Sequence, residues 1–440
     1  MKTRMKLILL LLFVALLLSG CMLTVEQMYC LPKRSEMYTN LQSAIDKAMS
    51  GLSFCAPLSG ENQQTVQLAD LDGDGRNEYL LFAKSSQDEK PLRILIFQNR
   101  NGKFENIDTV ECNGHAFDQV EYVDMNGDGG LEMLVGRQLS DQMIRSVSVY
   151  TFSQNELMQL VTVNYSKFLT VDLNSDSFSE LFVLRPGQTE TDNGVAELYR
   201  MDDKNIERYN EVTMSRPVDK LKRVLVGKID GEIPAVYTAS AVDEKALITD
   251  IYALKDSLLV NIGLSNGSDT SVQTMRNFYV YADDIDGDTV VELPRLMTMK
   301  PTQGNFGTND NQLICWYAMT MNGNEIVKMY TYHNFVGGWY MQLSRKWAER
   351  VSVNTSGNAC EFSVWNEDGT ASDKVVTIYA ISGQNRDNPA DAEGYIELYR
   401  TDTVVYVAKL ESCAVKYGLD LQTIKDSFRL IQQDWKTGET

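Results

Sequence analysis

The chain has 440 residues, of which 60 are acidic and 41 are basic, so its formal net charge is −19. This charge, together with the lack of a basic patch in the sequence, argues against a nucleic-acid partner and against attraction to anionic lipid headgroups. Hydrophobic residues make up 43% of the chain, which is enough to build buried cores, and the length predicts two structural units.

The first twenty residues have the pattern of an export signal. Lys2, Arg4 and Lys6 precede an uninterrupted apolar stretch over 7–18, which is short for a membrane span and typical of a signal peptide. The stretch ends in Leu-Ser-Gly before Cys21, which resembles the lipobox of bacterial lipoproteins. The resemblance implies that lipid on Cys21 holds the protein to the extracytoplasmic face of the cell membrane. Ordinary secretion with a free cysteine and an uncleaved anchor are the alternatives.

Cys21 is followed by a segment that would serve as a tether. After it, helical spacing of apolar residues predicts a short helix from Glu36 to Met49. After this helix the sequence consists of short β-rich runs separated by Asn, Gly and Asp. The runs at 93–97 and 103–110 flank a turn that includes Asn101 and Gly102, which is a hairpin signal. Six cysteines other than Cys21 are widely spaced, which argues against a structural zinc site and leaves any disulfide pairing open.

A nine-residue acidic pattern recurs four times in this β-rich region. It places a side-chain oxygen at relative positions 1, 3, 5 and 9 and a backbone carbonyl at position 7, which suits the oxygen ligands that calcium requires. The sequence therefore predicts up to four Ca²⁺ sites, and the two loops with four carboxylates are expected to bind more tightly than the two with an asparagine. The predicted ligands are Asp70, Asp72, Asp74, Arg76 and Glu78; Asp124, Asn126, Asp128, Gly130 and Glu132; Asp172, Asn174, Asp176, Phe178 and Glu180; and Asp284, Asp286, Asp288, Val290 and Glu292.

The spacing of these loops indicates a structural repeat. They begin at residues 70, 124, 172 and 284, so a missing copy is expected near residue 228. There Asp230 and Glu232 keep the middle acids, whereas Lys228 stands in place of the first ligand and Val236 in place of the last. We expect this copy to keep its strands and to lack the metal. A period near 50 residues with four short strands per unit is typical of a β-propeller blade.

Taken together, the loops, the period and the strands at 65–343 resemble the FG-GAP/VCBS repeats of integrin-type β-propellers. The resemblance implies a calcium loop between two strands of each blade and a mainly β fold with about five blades, in a range of five to seven. Two features depart from the family pattern: its Phe-Gly and Gly-Ala-Pro signatures are absent, and position 6 is Gly75 and Gly129 but Ser177 and Thr289. EF-hand and dockerin loops are excluded, because their last acidic ligand is at position 12 and helices flank them.

The segment at 344–440 predicts a small α+β domain. Its final helix carries Leu421, Ile424, Phe428, Ile431 and Trp435 at helical spacing, with Asp420 as the N-cap.

Aromatic residues are also concentrated between 316 and 347, where they form either a sugar-stacking platform or the core of the last blade. We therefore expect four regions along the chain. They are a lipoprotein signal peptide at 1–20, a lipidated cysteine with a tether and short helix at 21–64, the propeller at 65–343 and the α+β domain at 344–440.

The sequence offers little for catalysis. His115 and His333 are the only histidines, both interpreted as surface turn residues, and no nucleophile, zinc or phosphate-loop motif is present. We therefore predict that the protein is not an enzyme but a lipid-anchored, calcium-binding module or scaffold for a protein or cell-surface glycan. The calcium would be structural, and the ligand-binding residues are left open. The alternative is a carbohydrate- or peptide-processing enzyme with a carboxylate-based site on the propeller face.

Overall fold

The computed structural model describes residues 36–139, 144–189, 191–242, 246–264, 268–278, 280–302, 312–383 and 394–431. The predicted signal peptide, Cys21, Cys30 and Trp435 lie outside the described residues. Within these ranges, no helix combines the length and the apolar character that crossing a membrane requires. The five cysteines they contain carry free thiols.

The chain is mainly β, as predicted, and its described strands form six antiparallel sheets that we number in chain order. Sheets 1 and 2 contain β1 Leu52–Phe54, β2 Val66–Ala69, β3 Glu78–Ser85, β4 Leu92–Arg100, β5 Lys103–Cys112, β6 Ala116–Val123, β7 Glu132–Gln138, β8 Arg145–Ser153 and β9 Glu156–Tyr165. Sheets 3 and 4 contain β10 Lys167–Val171, β11 Glu180–Arg185, β12 Val195–Asp202, β13 Asn205–Thr213, β14 Lys220–Ile229, β15 Ile233–Val242, β16 Ala246–Lys255 and β17 Leu258–Asn261.

The last two sheets share the C-terminal part of the chain. They contain β18 Glu292–Thr298, β19 Gln312–Met319, β20 Glu325–Asn334, β21 Trp339–Leu343, β22 Val351–Ser356, β23 Ala359–Trp365, β24 Ser372–Ser382, β25 Tyr395–Arg400, β26 Val404–Leu410 and β27 Phe428–Leu430. The helices among the described residues are α1 Glu36–Ala48, α2 Arg345–Ala348 and α3 Leu421–Ser427, with 3₁₀ turns at Val272–Thr274 and Ala414–Tyr417.

Strands of sheets 2, 3 and 4 lie side by side in chain order, which is the arrangement of a propeller blade. In sheet 1, β1 and β2 lie end to end along the same edge of β3, so together they take the place of one strand. The acidic segments 70–78, 124–132 and 172–180 each join the first strand of a sheet to the second. The segment 284–292 occupies the same place before β18, where Asp283 pairs with Glu292.

Neighbouring sheets pack face to face through apolar side chains. Phe82 of sheet 1 meets Phe117 of sheet 2 edge-on, with ring centroids 5.0 Å apart. Similar clusters join sheets 2 and 3, 3 and 4, 4 and 5, and 5 and 6. Because a sheet between two others is buried on both faces, an inner strand such as β11 is a near-continuous apolar run, whereas the outer strand β9 is largely exposed.

Helix α1 covers the face of sheet 1 that has no preceding sheet. Its buried Ile45 packs against Leu81, Ala83, Leu95 and Phe97. The helix predicted from Glu36 onwards is therefore confirmed, and its role is to close the first end of the row of sheets.

The C-terminal segment contains more strand than the sequence predicts. Asp420 caps α3 by accepting a 2.8 Å hydrogen bond from the Thr423 amide, as expected, but the helix ends at Ser427. Phe428 then begins a strand whose register pairs it with Met341 at the edge of sheet 5. Its ring stacks on Trp339 with centroids 5.5 Å apart, so the apolar residue predicted for a helix stripe is instead held in the core between sheets 5 and 6.

The concentrated aromatic residues are also core residues. Tyr332 and Trp339 belong to the core between sheets 5 and 6, Tyr317 to the core between sheets 4 and 5, and Trp316 to a separate small cluster. Trp316, Tyr317, Tyr332 and Trp339 are buried, and Phe335 stands out as 46% exposed. The interpretation of the cluster as core is therefore confirmed, and a platform built from the whole cluster is wrong.

Candidate metal centres

The four acidic loops bury their last acid in the same way. Each of these glutamates is the first residue of the strand that follows its loop and is at most 2% exposed. Its Oε2 accepts a hydrogen bond from the backbone amide at loop position 2, which leaves Oε1 for the loop. The four bonds are Leu71 to Glu78 at 2.9 Å, Met125 to Glu132 at 3.0 Å, Leu173 to Glu180 at 2.9 Å and Ile285 to Glu292 at 3.1 Å.

The first acid of each loop closes the turn. Its Oδ2 accepts the backbone amide of position 6 at 2.9 Å from Gly75, 3.2 Å from Gly129, 2.9 Å from Ser177 and 2.8 Å from Thr289. All four position 6 residues have a positive φ, between 72° and 88°, which glycine adopts most easily. Since Ser177 and Thr289 adopt this conformation too, their departure from the family pattern does not change the loop.

The middle positions form a second regular ladder. Position 3 accepts the amide of position 5, and position 5 accepts the amide of position 7, so Asp72 bonds the amide of Asp74 and Asp74 bonds the amide of Arg76. The same pairs recur in the other loops through Asn126, Asp128 and Gly130; Asn174, Asp176 and Phe178; and Asp286, Asp288 and Val290. All twenty predicted ligand positions therefore lie in loops of one conformation.

Two of the loops bring three carboxylates into one cluster. Carboxylate oxygens of Asp70, Asp72 and Glu78 lie within 4.8 Å of one another, as do those of Asp284, Asp286 and Glu292. Asp70 Oδ1 and Glu292 Oε1 are buried without a hydrogen-bond partner. The unpaired Asp70 oxygen in its carboxylate cluster favours a bound cation, so the residues of the loop at 70–78 fit the calcium that the family pattern implies.

Burial opposes the negative charge that these loops concentrate. It raises the pKa of Glu78, Glu132 and Glu180, and it raises that of Glu292 to about 8. Neighbouring aspartates add to this effect in each loop. A cation bound beside these glutamates would favour their ionised form and so reverse the shift.

A side chain from another strand of the same sheet lies near the remaining oxygen of each buried glutamate. Gln98 lies 3.4 Å from Glu78, and the Thr151 hydroxyl donates to Glu132 at 3.0 Å. In the other two loops this neighbour is charged: Arg200 lies 3.3 Å from Glu180, and Lys328 lies 3.9 Å from Glu292. The acidic pattern itself gives no indication of these neighbours, because they come from strands 19 to 36 residues further along.

The acidic loops also contact one another along one end of the sheets. The Leu131 amide donates to the Asp70 carbonyl at 3.1 Å. A Cβ on Gly73 would lie 2.9 Å from the backbone of Gly129, and one on Gly127 would lie 2.6 Å from the ring of Phe178. Gly73 and Gly127, both at position 4, therefore permit close packing of the first loop on the second and of the second on the third.

The degenerate copy keeps its blade but shortens its loop. Sheet 4 has four strands, and β14 turns into β15 through Asp230, Gly231 and Glu232 alone. Lys228 forms an ion pair with Glu232 at 2.7 Å. The strands expected around residue 228 are thus confirmed, and a lysine salt bridge stands where the loops at 70–78 and 284–292 have a carboxylate cluster.

The two histidines differ in environment. His115 is half-buried in the turn after β5. His333, predicted as a surface residue, lies instead inside β20 at 8% exposure, where it stacks on Tyr340 with ring centroids 5.0 Å apart. The prediction for His333 was wrong because the Gly-Gly bend begins at Gly337, four residues after the histidine, and the strand ends only at Asn334.

A cleft of about 810 Å³ lies at the other end of the strands. Its walls come from Arg145, Ser166 and the segments 186–189 and 217–221. Strand β11 begins at the acidic loop that ends in Glu180 and finishes at Arg185, next to the cleft residue Pro186, so the loop and the cleft lie at opposite ends of this strand. Among the described lining residues, Arg145 and Lys220 are cationic and Asp219 is the sole acid. A pair of carboxylates for glycoside hydrolysis is therefore not part of the described lining.

Comparison with known proteins agrees with the loop geometry. The model of the FG-GAP-like repeat matches residues 70–135, which contain the first two acidic loops, so the predicted resemblance is confirmed for this segment. No curated protein matches the chain.

Solved structures with a similar arrangement of strands include enzymes. One is the rhamnogalacturonan lyase YesW, with 12% identity, a TM-score of 0.30 and coverage of 74% of this chain and 72% of the other. Another is a rhamnogalacturonan lyase from Bacillus licheniformis, with 12% identity, a TM-score of 0.29 and coverage of 73% and 72%. A protein from Lactobacillus plantarum has 9% identity, a TM-score of 0.29 and coverage of 73% and 86%. At these values the likeness carries no argument about activity.

Proposed function

We propose that this protein is a binding or scaffold module of the cell envelope, built from propeller-type blades and stabilised by calcium. The observation that carries the proposal is the shared conformation of the four acidic loops, each with a buried glutamate at the end of an oxygen-rich turn. Calcium would be held by the carboxylates and amide oxygens at positions 1, 3, 5 and 9. It would supply the positive charge that these buried acids need, and so fix the turn between two strands.

The proposed attachment to a membrane is supported by the sequence. The lipobox-like Leu-Ser-Gly before Cys21 supports lipid anchoring at the extracytoplasmic face of a bacterial membrane. The net charge of −19 supports an anchor that depends on the lipid rather than on basic residues. Extracellular calcium modules bind with a Kd of about 10⁻⁴–10⁻³ M, which suits a protein exposed to the medium.

The cleft opposite the acidic loops is the proposed place for a protein or glycan ligand. It is open, mixed in polarity and lined by the cations of Arg145 and Lys220. The single described carboxylate, Asp219, supports binding rather than carboxylate-pair hydrolysis. Calcium would act at a distance from this ligand, by holding the blades in place.

The test begins with thermal unfolding of the full-length protein in calcium and in chelator. At a calcium concentration 100 times the Kd, each occupied site adds about 2.7 kcal/mol to the free energy of unfolding. We therefore expect a clear rise in Tm with calcium and a smaller rise with magnesium, which dehydrates reluctantly. Equal Tm values in calcium and chelator would refute the metal sites.

The second arm is an array of glycans and cell-wall fragments, with product analysis on every ligand that binds. Retention without bond cleavage is expected. Cleavage of any bound glycan or peptide would overturn the proposal in favour of an enzyme.

A further inference from the structure

We infer that Lys328 is a resident cation of the loop at 284–292 and replaces calcium there. The inference rests on the proposed function, because it states which acidic loop does not take the metal. By its carboxylate count alone, this loop would rank with 70–78 as one of the two strongest calcium sites.

The Lys328 ammonium lies among the carboxylates that would bind the metal. It donates to Asp288 in a short hydrogen bond, and its Nζ lies 3.8 Å from Asp286 and 3.9 Å from Glu292 Oε1. These are the side chains at positions 3, 5 and 9 of the loop. A calcium ion bound to the same oxygens would meet a positive charge at contact distance, so the two cations exclude each other.

The sheet register explains how Lys328 reaches the loop. In sheets 1 to 3 the residue beside the buried glutamate on the next strand is Gln98, Thr151 or Arg200. In sheet 5, Glu292 pairs with Ala318, whose methyl group leaves this space open. Lys328 comes from β20, one strand further out, and its long side chain extends over this space to the acids.

The other loops lack this arrangement. Gln98 and Thr151 are neutral, so the side chain beside the buried glutamate brings no charge to the loops at 70–78 and 124–132. Arg200 contacts Glu180 alone among the predicted ligands of its loop, and its guanidinium is held over the ring of Tyr209 at 4.2 Å. Lys328 is therefore distinct in touching three ligand positions at once.

The decisive experiment compares calcium stoichiometry by equilibrium dialysis in the full-length protein and in Lys328→Gln. The variant copies the neutral neighbour that Gln98 provides in the first loop. We expect it to bind one calcium ion more than the wild type, and we expect the reverse variant, Gln98→Lys, to bind one fewer. An unchanged stoichiometry in Lys328→Gln would overturn the inference.

A second measurement separates this inference from the proposed function. In chelator, Lys328→Gln leaves Glu292 without its cation, so we expect a lower Tm than in Lys255→Gln, whose lysine bonds the neutral Asn322. Calcium should restore the Tm of Lys328→Gln. If the wild type binds no calcium, the proposed function fails, and Lys328 is still tested by the chelator comparison. Equal Tm values for the two lysine variants in chelator would then overturn its role.

Discussion

His333 illustrates how a single titratable residue can be placed inside a sheet without a catalytic task. Its Nε2 lies 2.9 Å from the Thr331 hydroxyl, and its ring stacks on Tyr340. Burial lowers the pKa of this histidine to about 3, because the charged form would be poorly solvated. The residue therefore acts as a neutral packing element at the pH of most environments.

This burial predicts a pH dependence of folding. Between about pH 6.5 and pH 3 the unfolded chain binds a proton at His333 that the folded chain does not bind, so stability falls as the pH falls through this window. The slope is at most about 1.4 kcal/mol per pH unit. We expect His333→Gln to lose this part of the slope in denaturant unfolding measured from pH 4 to pH 8.

The matched control is His115→Gln, which alters a half-buried turn residue. If both variants change the pH slope equally, the buried position of His333 does not account for the effect.

Individual ligand positions could be predicted from the sequence, but their surroundings could not. The spacing of Asp70, Asp72 and Glu78 encodes the loop, because all three are within nine residues. Lys328 is 36 residues from Glu292, and its position depends on the register of two strand pairs and on the small side chain of Ala318. No local pattern records such a contact, so charge counting alone misjudges the loop.

The acidic loop behaves as a unit of structure that tolerates several sequences. Position 6 has a positive φ in every copy and holds glycine in two copies and serine or threonine in the other two. The hydrogen bond from its amide to the first acid is nevertheless the same in all four copies. The sequence predicts this element well, since oxygen spacing and turn conformation are both local. The end of α3 was less predictable, because packing of Phe428 on Trp339 overrides its helical spacing.

Substitution within two equivalent turns should therefore have unequal effects. Asp72→Ala removes a predicted ligand from a converging cluster, so in calcium it should cost about 2–3 kcal/mol of unfolding free energy, the contribution of one occupied site. Lys228→Ala breaks an ion pair whose lysine and glutamate side chains are 36% and 89% exposed, and such pairs contribute about 0–1 kcal/mol.

Denaturant unfolding of both variants in calcium measures the contrast. The same pair in chelator is the control, where the cost of Asp72→Ala should largely disappear. Equal losses for the two variants in calcium would show that the turn at Lys228 is as important as the metal cluster.

Over the whole molecule, the sheets follow one another in a row whose first end is covered by α1. The repeat spacing predicts five of these sheets, because four carry an acidic loop and one carries its remnant. Sheet 6 has no such loop, so it gave no repeat signal and was included in an α+β domain. Its core is continuous with that of sheet 5 through residues such as Tyr332 and Phe362, whose ring centroids are 5.2 Å apart.

Since α1 covers an apolar face, the contact of Ile45 with sheet 1 should matter to the stability of the protein. We expect Ile45→Asp to lower the free energy of unfolding by about 3 kcal/mol, because it removes apolar packing and buries a charge. Ser43→Asp, at an exposed position of the same helix, should change it by less than about 0.5 kcal/mol. Denaturant unfolding of both variants decides the matter, and a similar small effect for both would mean that the helix is not part of the core.

The salt bridge at Lys228 and the ammonium of Lys328 lie in sheets 4 and 5, whereas the loops with neutral neighbours lie in sheets 1 and 2. The cations of the later sheets are covalently part of the chain and cannot be washed away. Those of the earlier sheets would be borrowed from the surroundings. If calcium occupies the loops of the earlier sheets as proposed, its removal should loosen the molecule at sheets 1 and 2, while sheets 4 and 5 keep their charge balance.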